Sequence, residues 1–175
     1  MNSDTISIRR ATTDRATAEA LADVLLDCVE AGASVGFMHP LSRAKAIAFW
    51  EGVLASATRG ERIVLVAEDT ASGFIVGSVQ LVLTMPDNQP HRADVAKMQV
   101  HRRAQRRGVG KALLRAIETE ARNAGRTLLV LDTVTGSAAE RLYSSLGWHR
   151  CGEIPNYALL PQGGLCSTTV LYRQL

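Results

Sequence analysis

Two early segments of the chain repeat apolar residues at intervals of three and four, the pattern of a helix that buries one face. In the first segment these residues are Leu21, Val24, Leu25, Cys28 and Val29, and in the second they are Ile47, Trp50, Val53 and Leu54. Thr13 or Asp14 can cap the first helix, which Gly32 ends. Ser42 can cap the second, which Gly60 ends. We therefore predict two amphipathic helices after a short strand over 5–10.

The rest of the chain alternates between strand and helix patterns. Strand-like runs over 62–68 and 74–84 flank the sequence DTASG, which is typical of a hairpin turn. The elements predicted beyond them are a strand over 93–100, a helix from about Gly108 to Gly125, a strand over 127–133, a helix over 136–147, and strands over 148–154 and 167–175 separated by a loop. This order, β-α-α-β-β-β-α-β-α-β-β, is neither a regular alternation nor an all-β pattern. It predicts a mixed α/β (α+β) fold whose sheet has helices on both faces.

Composition restricts the classes of function. The 175 residues are 46% hydrophobic and 21% charged, without repeats or a compositional break, which predicts a single globular domain over 1–175. A net charge of +3 is too small for a chain whose main role is coating nucleic acid. The three cysteines are far apart and form no Cys-x-x-Cys pair, which argues against a disulfide framework or a zinc site, so we predict no metal. Without a signal-like start or an apolar run of ~20 residues, a cytoplasmic protein with no membrane partner is expected.

Positive charge is concentrated in one stretch, VHRRAQRRGVGKALL at 100–114. It is not a P-loop, because Gln105 and Ala112 stand where that motif requires Gly and Ser or Thr. It is not a dinucleotide fingerprint, because Leu113 stands where the third glycine belongs. Nucleic-acid patches usually include aromatic residues, and Phe74 is the only one between positions 50 and 143.

The same stretch has the features of an anion site at the start of a helix. A strand leads into it and an apolar helix follows, so the helix N–H groups and dipole favour a bound phosphate. Gly108 and Gly110 would let the phosphate approach the backbone, and Arg106, Arg107 and Lys111 would add charge. We therefore predict a pyrophosphate site, with a solvated basic helix start as the alternative.

Two segments resemble those of a known superfamily. KMQVHRRAQRRGVGKALL resembles the acetyl-CoA-binding signature of the GNAT N-acetyltransferases, whose Gln/Arg-x-x-Gly-x-Gly/Ala core is here Gln105, Gly108 and Gly110. SAAERLYSSLGW, which contains Tyr143, resembles a second GNAT segment. The resemblance implies a GNAT fold, with a central, mostly antiparallel mixed sheet of about seven strands. Further stretches such as RADVAKMQV and GEIPNY are similar to the tabtoxin resistance branch of that superfamily.

The resemblance implies an enzyme that transfers an acetyl group from acetyl-CoA to the primary amine of a small molecule. An amino-acid-like or antibiotic-like acceptor is implied, with a tabtoxin-type β-lactam as the nearest named example and antibiotic resistance as the role. A protein or peptide N-terminus is an alternative acceptor, and an acyl-CoA sensor without turnover is an alternative from another class. Neither a nucleic-acid partner nor a metal is expected, and a homodimer is left open.

The resemblance also implies site residues. Those expected to bind acetyl-CoA are Met98, Gln99, Val100, Gln105, Arg106, Arg107, Gly108, Val109, Gly110 and Lys111. Tyr143 is implied as the general acid that protonates the departing sulfur, with packing in the core as the alternative.

The general base and the acceptor pocket are less constrained by the sequence. Asp94 and Asp132 both lie on predicted strands that border the cleft, and Asp132 is expected to be partly buried at a strand end. Either can serve as a base, directly or through water; Asp132 can also bind the substrate's ammonium group or cap the next helix. Within the loop ASVGFMHP, the residues expected to wall the pocket are Val35, Phe37 and Met38, unless the loop simply packs on the sheet.

Overall fold

The structure, a computed structural model, describes residues 5–175 and contains the predicted elements in the predicted order. The strands are β1 (Ile6–Arg10), β2 (Arg62–Asp69), β3 (Phe74–Val82), β4 (Arg92–Val100), β5 (Leu128–Val134), β6 (His149–Leu159) and β7 (Leu165–Gln174). The helices are α1 (Arg15–Glu30), α2 (Arg43–Thr58), α3 (Val109–Asn123) and α4 (Ala138–Ser145), with a 3₁₀ turn at Arg102–Ala104. No helix in this described range is long and apolar enough to cross a bilayer.

All seven strands form one sheet in the order β1-β2-β3-β4-β5-β7-β6. The β4–β5 pair is parallel, and every other neighbouring pair is antiparallel. The prediction of a mixed, mostly antiparallel sheet is therefore confirmed. The helix α3 is the crossover that joins the two parallel strands, as such a connection requires.

Apolar side chains cover both faces of this sheet. On one face the α1 and α2 stripes predicted from the sequence pack on β2 and β3, with Trp50 fully buried. On the other face Leu113, Leu114 and Ile117 of α3 pack against the inner strands. Two cores on opposite sides of one sheet confirm the prediction of helices on both faces.

The last hairpin differs from the prediction. A strand over 148–154 and a loop over 155–164, which contains prolines (Pro155 among them) and glycines, were expected. Instead β6 continues to Leu159, with an irregular register between Ile154 and Ala158 and a positive φ of 53° at Asn156. Because β6 is an edge strand, a bulge accommodates the proline without breaking the sheet.

The strands β4 and β5 separate after their first three residues. They pair only at Arg92–Asp94 with Leu128–Val130, and both continue beyond that point without pairing. On its other edge β4 bulges: Ser78 faces Gln99 and Gln80 faces Ala96, so β4 has one residue more than β3 over this interval. The bulge increases the twist of β4 and turns it away from β5. The resulting split in the middle of the sheet organises the candidate site.

Candidate active site

The split exposes a strand edge inside the protein. Within residues 5–175, no strand pairs with the β5-facing edge of β4 after Asp94. The candidate residues Met98, Gln99 and Val100 lie on this unpaired segment. No strand partner occupies this side of the segment, although the Val100 carbonyl accepts from the Gln105 side chain at 3.4 Å. The edge can therefore receive a ligand that hydrogen-bonds as a strand does.

The start of α3 closes one end of the split and has the geometry of an anion site. Asp14, Ser42 and Ser137 cap α1, α2 and α4 with side-chain oxygens that accept backbone N–H groups. The N-cap of α3 is Gly108, which has a left-handed φ of 78° and supplies no side-chain acceptor. The first-turn N–H groups of α3 are thus left for an exogenous acceptor, and the helix dipole favours an anion there.

The two glycines of this loop serve different purposes. A Cβ on Gly108 would meet no atom within 4 Å, so a lack of space does not explain this glycine. Its left-handed backbone does, and the absent side chain keeps the loop open. A Cβ on Gly110 would lie 3.0 Å from Leu142 and 3.5 Å from Met98. We expected Gly110 to let the phosphate approach the backbone. These contacts instead explain the glycine by the close packing of α3 against α4 and β4.

The basic side chains of the loop are not equivalent either. Arg107 was expected to add charge toward the anion, but its guanidinium lies 3.0 Å from Asp69 and 2.8 Å from the Thr5 hydroxyl. Its charge is therefore already neutralised by the β2–β3 turn. Among residues 5–175, neither Arg106 nor Lys111 forms an ion pair, so their charges remain available beside the start of α3.

The charge of the Asp132 carboxylate affects the pKa values of several residues around the split. Its negative charge contributes to raising the pKa of Asp94 and of Tyr143. It accepts a hydrogen bond of 2.9 Å from the Thr168 hydroxyl. The expectation of a partly buried strand end is wrong: Asp132 is exposed and lies inside β5, because β5 pairs with β7 as far as Val134. Nor does it cap α4, where Ser137 has that role.

Asp94 lies at the point where β4 and β5 part, and it is half-buried. Burial raises the pKa of its carboxyl; the neighbouring Arg92 guanidinium opposes this rise, and the charge of Asp132 adds to it. A carboxyl group whose pKa is raised is a better proton acceptor when ionised. Two carboxylates thus lie close together at the head of the split.

Tyr143 approaches the split from α4. Its side chain is 5% exposed and its ring lies 5.7 Å from that of Trp148. Within the described chain no group forms a hydrogen bond with its hydroxyl. Burial, with a smaller contribution from Asp132, raises the pKa of this hydroxyl well above its ordinary range, so it stays protonated.

The predicted pocket loop between α1 and α2 is only partly turned inward. Phe37 packs edge-on against Phe49, with 5.0 Å between ring centroids, and Val35 also contacts this core. Met38 is 46% exposed and lies outside the packed part of the loop. His39 donates its N–H to the carbonyl of Pro161 at 2.9 Å, so the β6–β7 turn meets this loop.

Lys97 belongs to the same region, although the sequence patterns did not single it out. It lies at the β4 bulge with a left-handed φ of 50°, and its Nζ donates to the Val35 carbonyl at 2.6 Å. Burial lowers the pKa of its ammonium group, and the charge of Asp132 opposes that change. A lysine in the middle of a largely apolar segment, between Val95 and Met98, was the available signal, but a strand pattern alone does not reveal a bulge.

Two surface cavities, of about 410 and 390 Å³, contain no residue of β4 or β5. The first lies between α1 and α2, and the second lies beside α1 at His39 and Pro40. The candidate site, the groove between the separated ends of β4 and β5, is therefore distinct from both cavities. Residues 5–175 contain no cluster of three metal-ligating side chains.

Comparison with known proteins identifies the family. The profile of the acetyltransferase (GNAT) domain matches residues 60–150. This range includes β2 to β5, the loop before α3 and Tyr143. The chain belongs to this family of acyltransferases, and the family predicted from the sequence is confirmed.

Three relatives illustrate the likeness. An uncharacterized N-acetyltransferase encoded in the hisH–hisA intergenic region of Azospirillum brasilense is 36% identical over 114 residues, covering 64% of this chain and 65% of that protein. The acetyltransferase yncA of Salmonella typhimurium, solved with its cofactor acetyl-CoA, superposes with a TM-score of 0.79 at 25% identity, covering 98% of this chain and 95% of that one. A ribosomal-protein-alanine N-acetyltransferase from Brucella melitensis superposes with a TM-score of 0.82 at 25% identity, covering 97% of this chain and 99% of that one.

Proposed function

We propose that the protein is a single-domain N-acetyltransferase that transfers the acetyl group of acetyl-CoA to the primary amine of a small molecule. The observation that carries the proposal is the split between β4 and β5, which has an uncapped helix start at its end and Asp94, Asp132 and Tyr143 around it. Family membership and the likeness to a Salmonella structure containing acetyl-CoA support the choice of donor.

Acetyl-CoA fits the two kinds of donor group in the split. Its pantetheine arm contains amides, which can pair with the free edge of Met98, Gln99 and Val100. Its pyrophosphate is the kind of anion that the start of α3 favours, with Arg106 and Lys111 beside it. The thioester would then lie at the head of the split.

The transfer requires a neutral amine and a protonated leaving group. The amine nitrogen attacks the thioester carbonyl, the C–S bond breaks, and the proton that the nitrogen loses goes to a carboxylate or to water held by one. Asp94 and Asp132 are the available bases, directly or through a water relay. Tyr143 is the proton donor to the coenzyme A sulfur, because its raised pKa keeps it protonated.

The acceptor we favour is a small amino-acid-like or antibiotic-like amine, of which a tabtoxin-type β-lactam is one example. Such an acceptor would make resistance to a toxin or antibiotic the physiological role, and we expect a cytoplasmic enzyme. The partly buried Val35 and Phe37, which lie next to Lys97 of β4, support a compact molecule with an apolar part. Asp132, exposed in the groove, can bind its ammonium group before proton loss.

A protein N-terminus is the second acceptor class, because the Brucella relative bears the name of a ribosomal-protein-alanine acetyltransferase.

A homodimer is also compatible with the structure. The edge strand β6 and the β6–β7 hairpin carry the exposed apolar residues Ile154, Tyr157, Leu159 and Leu165. A second copy would cover such an edge.

Thiol release from acetyl-CoA, measured against a panel of small amines and N-terminal peptides, tests the proposal. We expect turnover with one or more small amines and a fall in turnover on Tyr143→Phe. Turnover with peptides alone would assign the second acceptor class. Tight coenzyme A binding without turnover on any amine would contradict an enzyme and favour an acyl-CoA sensor.

A further inference from the structure

Lys97 carries an unusual combination of features for a residue that forms no ion pair. A non-glycine residue at a φ of 50° is strained, and such strain persists where the surroundings demand it. Its ammonium group lies 5.8 Å from the centroids of both Phe37 and Phe49, at the acceptor side of the split. The site thus holds a cation between two aromatic rings.

The surroundings leave part of this cation unsatisfied. An ammonium group has three N–H donors, and within the described chain the Nζ of Lys97 makes one hydrogen bond, to Val35. No carboxylate of residues 5–175 lies within 4.0 Å of it, whereas the partly buried Arg92 and Arg173 each have such a partner. Asp132 raises the pKa of the Lys97 ammonium group by its charge but forms no ion pair with it. A half-buried cation with spare donors gains most from an anionic ligand group.

The loop between α1 and α2 packs directly against this ammonium group. A Cβ on Gly36 would lie 2.8 Å from the Lys97 Nζ, so a side chain at this position would crowd the cation. Because Lys97 and Asp132 share the groove, one position there favours a negative group and another favours a positive one. An α-amino acid carries one group of each charge and can therefore interact with both residues.

We propose that Lys97 determines acceptor specificity by binding the carboxylate of an acceptor that is a free α-amino acid or a close analogue. This inference rests on the proposed function for the identity of the site. It goes further in assigning the recognised group and the residue that recognises it. A protein N-terminus, whose first carboxyl is in a peptide bond, lacks the group that Lys97 binds.

Calorimetric titration of the coenzyme A-bound protein with each of the twenty amino acids, and with the matching amino-acid amides, tests this without requiring turnover. We expect at least one acid to bind ten- to hundredfold more tightly than its amide, the range of a hydrogen bond to a charged group. Lys97→Met should abolish that preference, and Lys97→Arg should retain it. Comparing acid with amide in each variant cancels the different basicities of the two amines.

Gly36→Ala is the matched control, because it can shift the loop between α1 and α2 without removing the charge of Lys97. It crowds the Lys97 Nζ but keeps the charge, so it should weaken acid and amide by the same factor. Unchanged affinity for coenzyme A in all three variants would show that the fold is intact.

The outcomes separate this inference from the proposed function. If no acid binds more tightly than its amide, or if Lys97→Met keeps the preference, the inference is wrong even if amines are acetylated. If the wild type prefers an acid over its amide and Lys97→Met loses that preference, Lys97 binds the carboxylate as proposed. If in that case no amine releases thiol from acetyl-CoA, the proposed function is nevertheless wrong.

Discussion

Burial and the negative charge of Asp132 together raise the pKa of the Tyr143 hydroxyl. The two residues approach the split from different elements, Asp132 from β5 and Tyr143 from α4. Tyr143 is therefore protonated at neutral pH, as a proton donor must be, although the raised pKa makes it a weaker acid than a free phenol. This relationship supports the distinct roles assigned to the two residues and leads to the first prediction.

Replacing Tyr143 by phenylalanine removes the proposed proton donor and leaves the packing against Trp148 in place. We expect kcat to fall about a hundredfold, within the usual contribution of general acid catalysis, with an unchanged KM for acetyl-CoA. Thiol release under saturating acetyl-CoA measures the effect. The matched control is Tyr157→Phe on the exposed face of β6, which should have the wild-type rate. A wild-type rate in Tyr143→Phe would remove this residue from the mechanism.

Asp94→Asn and Asp132→Asn distinguish the two candidate bases. The pKa of Asp94 is raised above its ordinary 3.8, so a base at this position loses activity at a higher pH than an exposed aspartate as the solution is acidified. If Asp94 is the base, its asparagine variant should lose about a hundredfold in kcat together with that acidic limb. A pH–rate profile of both variants measures this. An intact acidic limb in Asp94→Asn would assign the proton transfer to Asp132 or to water.

Gly108→Glu should abolish binding of acetyl-CoA. The side chain would project from the uncapped start of α3 and place a negative charge where the pyrophosphate is proposed to bind. Gly60→Glu is a close control, because Gly60 has a similar φ of 75°, equally open surroundings and a position at the end of α2. Calorimetry with coenzyme A should show lost affinity in the first variant and wild-type affinity in the second. Equal affinity in both would contradict the anion site.

The fold followed from the sequence where the information is local. Apolar spacing at Leu21 to Val29 predicts α1, and the glycine spacing of Gln105 to Gly110 predicts the anion loop. The continuation of β6 through Pro155 did not follow, because it depends on the strand being at an edge with a bulge. An isolated proline in the sequence carries no information about which strand edge it faces.

The same limit explains what the sequence could not predict about the site. Lys97, which contacts the loop between α1 and α2, lies where β4 carries one residue more than β3, which is a property of the pairing between strands. The neutralisation of Arg107 by Asp69 joins residues 38 positions apart. Asp132 and Tyr143 were predictable as candidates by residue type and resemblance, whereas the exposure of Asp132 depended on the pairing of β5 with β7 and the burial of Tyr143 on its packing against Trp148.

Asp27 makes stability depend on pH in the acid range. Its carboxylate accepts hydrogen bonds of 2.8 Å from the backbone N–H and the Nε of Arg102, where α1 meets the loop after β4. Burial alone would raise its pKa, but these donors hold the pKa below the ordinary 3.8. The folded state therefore binds this proton less readily than the unfolded state. The stabilisation is complete above the unfolded pKa and is lost as the pH falls through the folded pKa.

Asp27→Asn should accordingly lower the free energy of unfolding by about 1–2 kcal/mol at neutral pH, the loss expected for a charge-assisted hydrogen bond. The difference from wild type should shrink once the pH falls below 3.8, the ordinary value for this carboxyl. Urea unfolding at several pH values measures both. Asp23→Asn, on the same helix in an exposed pair with Arg43, should cost less than about 1 kcal/mol. A pH-independent difference for Asp27→Asn would contradict the proposed linkage.

A buried ion pair joins α3 to the last strand and should dominate the electrostatic contribution to stability. Glu118 is 7% exposed; it accepts from the Trp148 indole at 3.3 Å and lies 3.0 Å from the Arg173 guanidinium. Glu118→Ala leaves that guanidinium without its carboxylate, so we expect a loss of about 3 kcal/mol in the free energy of unfolding. Glu120→Ala, two residues along the same helix, breaks a pair with the exposed Arg10 and should cost less than about 1 kcal/mol. Denaturant unfolding of both variants measures the difference, and equal losses would show that burial of the Glu118 pair contributes nothing of its own.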